Sequence, residues 1–524
     1  MPTRNCFASL AVLVLIVCSI VSFAQPTPDL RTPSPPAAPR IHGPKIYGAR
    51  SGHPFLYRIP CTGLHPITFS AANLPASLHL NAKTGIISGT APVHAGVYLV
   101  QLGASSRRGR DKRTFKIVVG DTIGLTPQMG WNDWYTYYDR ITEADVRAAA
   151  QAMVDSGMAD FGYQYVDIDD AWARKPGSTD PMLGGPTRGP DGNILSNGHF
   201  PDMPGLTAAI HSFGLKAGIY SSPGPTTCAG FEGSYQHEDA DAHQFAAWGF
   251  DLLKYDWCSY GKIAKDKSLA EYQKPYRQMS GIVKSLDRDI VLNICQYGKG
   301  DVWTWGREVG GNSWRTTDDL GVAKATSLPG FYSIAFANAE HSAYAGPGAW
   351  NDPDYILIGT VGNAFKISDR PRHTSLTSGE QYSYMSMWAL MAAPLLFSGQ
   401  MTTLDDLTRS VLCNAEVIDV DQDALGAQAR ILRKTPDELV LVKPLEDGSI
   451  AVGLFNLSSA SRFVSVDWAA LNLPGARIVR DLWRQRDLGT ETGSYQVQIP
   501  AHDVMLVRIS AARSHPSDHR VATP

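Results

Sequence analysis

Leu252-Leu253-Lys254-Tyr255-Asp256-Trp257-Cys258 begins as a short apolar run and ends on charged and aromatic residues. The same figure recurs along the middle of the chain. Runs that read as strands lie at Gln128–Trp131, Tyr165–Ile168, Lys216–Tyr220, Leu252–Tyr255, Ile290–Ile294, Ser313–Thr316, Ala349–Asn351 and Pro394–Phe397. Longer amphipathic stretches separate them. One, from Glu143 to Ser156, opens behind Thr142 as a candidate N-cap and stops at Gly157. Eight strands alternating with helices predict a closed (β/α)8 barrel over residues 122–426.

Working outward, residues 40–121 change to short β runs such as Phe55–Ile59, Gly96–Val100 and Thr114–Val119, which predict a small β-sandwich. Residues 25–39 are rich in Pro, Thr and Ser and read as a flexible, extended linker. At the N-terminus, Arg4 precedes an apolar run from Leu10 to Val21 and then Ser22-Phe23-Ala24, the pattern of a secretory signal peptide over residues 1–24. That run is shorter than the about 20 apolar residues of a membrane span. Cleavage near Ala24 would therefore give a secreted or periplasmic protein with no membrane span in the mature chain. On the C-terminal side, β runs at Leu439–Val442, Ile450–Asn456, Arg477–Asp481 and Val504–Ile509 predict an antiparallel β-sandwich over residues 427–510. Residues 511–524 read as a disordered tail.

The formal net charge is -3, and Lys and Arg are scattered apart from the Arg107–Lys112 cluster, which reads as a solvated hairpin tip. No nucleic-acid footprint is present. Of seven cysteines, Cys6 and Cys18 fall in the signal, leaving Cys61, Cys228, Cys258, Cys295 and Cys413. An odd number in an oxidising compartment leaves at least one thiol free. No pair has the close spacing of a zinc site.

Functional side chains of such a barrel gather where the strands end. The ends read Trp131-Asn132-Asp133-Trp134, Asp167-Ile168-Asp169-Asp170-Ala171-Trp172, Tyr220, Lys254-Tyr255-Asp256, Cys295-Gln296-Tyr297, Trp314-Arg315-Thr316-Thr317-Asp318-Asp319 and Trp350-Asn351-Asp352-Pro353-Asp354. Carboxylates and tryptophans dominate. Sugar hydroxyls need charged acceptors, sugar C–H faces pack on rings, and oxocarbenium-like transition states need two carboxylates. The rim therefore points to a glycosidase. No glycine fingerprint for a nucleotide follows a strand, so no cofactor is expected, and no metal ion. Blander readings exist: Asp169 and Asp170 as helix caps, Asp352 before Pro353 as a turn residue, Trp131 and Trp172 as core. A metal-dependent hydrolase using Asp167, Asp169 and Asp170 lacks a supporting histidine set.

In order, Met129-Gly130-Trp131-Asn132, Asp169-Asp170, Thr227-Cys228-Ala229-Gly230-Phe231, Lys254-Tyr255-Asp256, Trp314-Arg315-Thr316-Thr317 and Asn351-Asp352-Pro353-Asp354 resemble the melibiase-like α-galactosidase family, glycoside hydrolase family 27 of clan D. The resemblance runs from about Ile123 to Ile509. It implies a retaining α-galactosidase that removes terminal α-linked galactose from oligo- or polysaccharides through a covalent galactosyl-aspartate. It also implies Asp256 as nucleophile, Asp319 as general acid/base, Asp169 and Asp170 at O4 and O6, Lys254 near O3 and O4, and Arg315 near O2. Trp134, Tyr220 and Asp354 would complete the wall, and Tyr297 and Trp257 would line it without a chemical role.

Lys254 is expected to keep Asp256 ionised. Gln296 stands where many relatives carry a Glu that contacts O2, and Asp318 where Gly or Ala commonly precedes the acid/base. The family pattern further implies a Cys228–Cys258 disulfide, with Cys61, Cys295 and Cys413 unbridged. The stretch from Leu74 to Tyr98 resembles the immunoglobulin-like modules of bacterial exported enzymes, which implies a spacer or adhesion role. Within the family, an α-N-acetylgalactosaminidase would need small residues near C2, and Gln296 is not small. A β-L-arabinopyranosidase often alters the residues facing C6, and Asp169-Asp170 is unaltered. A non-catalytic carbohydrate-binding protein is opposed by the presence of both Asp256 and Asp319. Oligomeric state is not legible in the sequence.

Overall fold

A computed structural model describes residues 29–320, 328–362 and 370–512. The expected signal peptide and residues 513–524 of the expected tail lie outside the described residues. Eight strands form one parallel sheet: β1 (Met129–Asn132), β2 (Tyr165–Asp167), β3 (Lys216–Ser221), β4 (Leu252–Asp256), β5 (Val291–Cys295), β6 (Ser313–Arg315), β7 (Trp350–Asp352) and β8 (Leu395–Phe397). β1 to β7 pair in sequence order, and β8 returns to β1 with Met129 opposite Leu395. The ring closes just beyond β7: Ile356 N–H donates to Leu396 O at 2.8 Å, and Ile356 O accepts from Ser398 N–H at 3.0 Å.

Strands covered on both faces carry continuous apolar runs rather than alternation. β3 is buried along its whole length. The helix Glu143–Asp155 starts at a reciprocal cap: the Thr142 side chain accepts from Asp145 N–H, and the Asp145 carboxylate accepts from Thr142 N–H. It is followed by Gly157 at φ 83°, a left-handed turn that suits glycine.

The C-terminal unit is a six-stranded antiparallel sheet in the order Arg430–Lys434, Glu438–Pro444, Ile450–Asn456, Val504–Ala511, Ala476–Asp481, Arg486–Thr492. A pair, Arg462–Asp467 with Ser494–Ile499, supplies the second layer. Val440, Val452, Leu454, Val464, Val466 and Trp468 fill the space between. The unit covers the barrel helix Ser378–Leu390, whose residues Gly379 to Leu390 are all buried. A helix buried on every side cannot show a one-sided apolar stripe.

The N-terminal module packs a four-stranded sheet (Ile46–Ala49, Gly109–Val119, Gly96–Ser106, Thr68–Ala72) on a three-stranded one (Pro54–Arg58, Ile86–Thr90, Leu78–Leu80). Tyr57, Ile87, Val100, Leu102 and Phe115 form its core. Arg107 and Arg108 sit exposed at a hairpin turn, while Arg110 to Lys112 belong to the following strand. The module covers the N-terminal end of the barrel, opposite the ends that carry the candidate site. Lys216, which opens β3, donates to Tyr47 Oη, Arg50 pairs with Asp289 at 3.0 Å, and Arg58 pairs with Asp160 at 3.2 Å.

The Pro-rich stretch, expected as a free linker, is docked from Asp29 onward. The buried Arg31 guanidinium meets both oxygens of Asp503, at 2.8 and 2.5 Å, and lies 4.3 Å from the Tyr382 ring centroid. Arg31 N–H donates to Tyr382 Oη at 3.0 Å, and Thr32 Oγ1 donates to Ser410 O at 2.5 Å. Composition could not disclose this, because the acceptors come from residues more than 300 positions away. Replacing Arg31 with Ala strands Asp503 as a buried, unpaired carboxylate, so a loss of about 3–5 kcal/mol is expected in denaturant unfolding. Arg31→Lys, which keeps the charge but loses the fork, should recover only part of it.

Candidate active site

Asp256 is the last residue of β4 and is 5% exposed. Tyr297 Oη donates to its Oδ1 at 2.5 Å and Tyr220 Oη to its Oδ2 at 3.2 Å. Burial pushes its pKa up to about 6. Lys254 and the Tyr297 hydrogen bond pull the other way, and Asp319 and Asp169 add to the rise. Lys254 thus acts in the expected direction, toward the ionised form, but desolvation outweighs it.

Lys254 points instead at Asp169, with Nζ to Oδ2 at 2.8 Å. The same oxygen accepts from Tyr355 Oη at 2.8 Å and Asn132 Nδ2 at 2.9 Å. Burial opposes the Lys254 charge, but Asp169, Cys295 and Asp256 together raise its pKa well above the usual value. Asp169 N–H donates to Asp133 Oδ1 at 2.6 Å, and burial beside Asp169 drives the Asp133 carboxyl well upward.

Across the pocket, Arg315 at the end of β6 is 3% exposed. Its Nη2 reaches Asp354 Oδ2 at 3.0 Å, Asp319 Oδ1 at 3.2 Å and Asp318 O at 2.9 Å. Asp354 is held further by Tyr135 Oη at 3.0 Å and Leu320 N–H at 2.8 Å. Asp319 is more open, its side chain 37% exposed.

One pocket is lined by Trp134, Asp169, Tyr220, Lys254, Asp256, Arg315, Asp319 and Asp354, together with Cys228, Tyr135, Tyr297 and Tyr355. Four residues singled out for the pocket in the sequence are not among its lining. Trp257 packs in the core against Tyr260 and Tyr276. Asp170 is buried, and its carboxylate accepts from Ala229 N–H at 2.8 Å and Ala171 N–H at 2.7 Å; burial pushes it up to about 7. It braces the Thr227–Phe231 loop. Gln296, expected at O2, is wholly buried and donates from Nε2 to Lys299 O at 2.6 Å. Asp318 is exposed and offers Arg315 only its backbone carbonyl.

The loop geometry explains the exchange of Gln296 for Tyr297. Beyond β5 the chain leaves the extended conformation, and Tyr297 takes φ 64°, which turns its ring toward Asp256. Strand alternation no longer says which side chain faces in. Tyr135 and Tyr355 were also missed, although each directly follows a residue on the wall. Asp352 is a structural brace, its Oδ1 accepting from Asp354 N–H at 2.8 Å and its Oδ2 from Asn293 Nδ2 at 2.7 Å. Trp131 and Trp172 lie in the core.

Cys228 and Cys258 are joined by a disulfide with Cα atoms 4.9 Å apart. Both sulfurs and an Asp256 carboxylate oxygen lie within 4.8 Å of one another. Bonded to each other, the two sulfurs are not available as thiolate ligands for a metal. Cys61, Cys295 and Cys413 are free, and Cys295 lies buried with Sγ 3.8 Å from Arg315 Nη1.

Comparison with known proteins agrees with this architecture. A family model described as alpha galactosidase A matches residues 126–423, one for the alpha galactosidase C-terminal beta sandwich domain matches 437–509, and an Ig-domain model matches 39–120. An alpha-galactosidase of Oryza sativa is 35% identical over 402 residues, covering 76% of this chain and 87% of the relative. One from Cyamopsis tetragonoloba is 37% identical over 386 residues, covering 72% and 85%. The crystal structure of a Bacteroides fragilis protein, 33% identical, superposes with a TM-score of 0.83 and covers 92% of this chain and 100% of that one.

Peptide mapping without reduction should recover Cys228 linked to Cys258 and free thiols at the other three sites. Cys228→Ser opens a loop of sequence separation 30, for which chain entropy predicts a loss of about 3–4 kcal/mol. A variant with unchanged unfolding would show that the loop is held by its packing alone.

Proposed function

Because the chain belongs to the melibiase-type α-galactosidase family of glycoside hydrolases, we propose that it is a secreted, retaining α-galactosidase acting on terminal α-linked galactose of oligo- or polysaccharides. The observation that carries this reading is a carboxylate held at both oxygens by tyrosine hydroxyls, Asp256, in one pocket with a second, more open carboxylate, Asp319. Asp256 attacks the anomeric carbon while Asp319 gives its proton to the departing glycosidic oxygen, forming a galactosyl ester of Asp256. Asp319 then takes a proton from water, the water oxygen bonds to the anomeric carbon, and Asp256 leaves as a carboxylate. Asp169 and Lys254 are placed to bind sugar hydroxyls, and Trp134 offers a ring for the C–H face.

Arg315 has two tasks. It neutralises Asp354, and its contact with Asp319 fixes where the acid/base carboxylate sits. An unsubstituted O2 is favoured over an acetamide, because Tyr297 rather than a small residue stands against Asp256. Secretion is supported by the N-terminal pattern and by a disulfide, which persists in oxidising compartments.

A mechanism-based 2-fluorogalactoside should label the peptide containing Asp256, and Asp256→Ala should remove nearly all turnover from a folded protein. A label on another residue rejects the assignment. Since attack needs the ionised carboxylate, kcat/KM should fall as pH drops through about 6.

Asp319→Ala should lose about 100-fold or more on poor leaving groups and much less on an activated aryl galactoside, with external azide restoring turnover. Asp318→Ala should lose little, since Asp318 is exposed, is not among the pocket lining and meets Arg315 only through its backbone carbonyl. Azide rescue of Asp318→Ala and not of Asp319→Ala would exchange the two roles.

A further inference from the structure

Tyr297 stands out because the chain departs from favourable geometry to place it. A bulky side chain at positive φ is a backbone outlier that survives only where its surroundings hold it. Here the whole turn is braced. Gln296 Nε2 donates to Lys299 O at 2.6 Å, Gly298 N–H to Arg315 O at 3.2 Å, and Trp305 Nε1 to Gly300 O at 2.7 Å. Gly298, at φ 77°, lies so close to β6 that a Cβ would stand 2.4 Å from Thr316 O. The result is a half-buried phenol whose hydroxyl meets Asp256 Oδ1 at 2.5 Å.

The surroundings leave that hydroxyl one good acceptor. Its other neighbours are the disulfide sulfurs, Cys228 Sγ at 3.4 Å and Cys258 Sγ at 3.7 Å, which accept hydrogen bonds poorly. Burial and the Asp256 charge both raise the phenol's pKa, so it keeps its proton to donate. Lys299 Nζ, 4.8 Å from the ring centroid, covers the ring. Tyr220, by contrast, shares its hydroxyl between Asp256 Oδ2 at 3.2 Å and Cys258 Sγ at 3.3 Å.

We propose that Tyr297 is a positioning residue that favours the ionised Asp256 carboxylate and stabilises it as it departs from the galactosyl ester. This rests on Asp256 being the nucleophile. A hydrogen bond to a full carboxylate is stronger than one to an ester carbonyl. The Tyr297 contact is therefore strongest in the free enzyme, weakest in the covalent intermediate and regained as the carbon–oxygen bond to Asp256 breaks. Removing it should spare the first step and slow the second, so that the ester accumulates. Because the bond favours the ionised carboxylate, its loss should also raise the pH at which Asp256 ionises.

Tyr297→Phe removes one oxygen and keeps the ring. On an activated aryl galactoside, kcat is expected to fall about tenfold and KM to fall with it, with a burst of aryl alcohol on mixing. The acid limb of kcat/KM should move up by about one pH unit. Reactivation of the 2-fluorogalactosyl enzyme, which reads the second step directly, should slow by a similar factor. Unchanged kcat and reactivation with an unmoved acid limb would reduce Tyr297 to a pocket wall and overturn the proposal. So would a fall in kcat/KM alone with the limb unmoved, which is what lost packing gives. Locating the fluorosugar label in wild type and variant keeps the two ideas apart. A label away from Asp256 defeats the nucleophile assignment, whereas a label on Asp256 with unaltered kinetics defeats only the role given to Tyr297.

Discussion

A carboxylate taken out of water must be met by donors or cations, or it gives up its charge. Three buried carboxylates crowd this pocket, and most of its architecture serves to satisfy them. Asp169 collects Lys254, Tyr355 and Asn132, Asp354 collects Arg315, Tyr135 and the Leu320 N–H, and Asp256 receives two phenols. Asp169 and Asp354 each touch a cation directly, while Asp256 feels Lys254 only at a distance and is pushed up to about 6; burial raises Asp354 as well, despite Arg315. That inequality separates a group free to bond to carbon from groups tied to holding the sugar.

The outer layers transmit rigidity to this arrangement. The helix Ser378–Leu390, buried from Gly379 onward, touches the pocket through Trp388, whose Nε1 donates to Asp354 O at 2.8 Å, and packs against the C-terminal sheet. Behind it lie two buried titratable groups, Lys443 from that sheet and Asp421 from a barrel helix. Burial lowers the lysine and raises the aspartate, and Lys443 Nζ also donates to Ala389 O at 3.4 Å. With Arg31 clamped on Asp503, the sheet is pinned from both its barrel side and the N-terminal strap.

The barrel was legible because its physics is local. Strands buried on both faces are written as largely apolar runs, and polar residues concentrate toward their C-terminal ends, so Asp167-Ile168-Asp169-Asp170 and Lys254-Tyr255-Asp256 announce both strand and site. The eight expected strands accordingly fall within one residue of the observed bounds. The strands Arg462–Asp467 and Arg486–Thr492 went unnoticed because their outward faces are exposed and their sequences mixed.

The sequence by itself determined the order of layers, the positions where chemistry gathers and the residue types available there. Tertiary structure alone decided that Gln296 would be buried away from the pocket while the Tyr297 hydroxyl meets Asp256, because past a strand end the backbone turns and alternation ceases to apply. It also decided that Arg31 would find Asp503 and that burial would outweigh Lys254 at Asp256. Desolvation and long-range pairing depend on what the whole chain brings near a group, and no window of neighbouring residues contains that information.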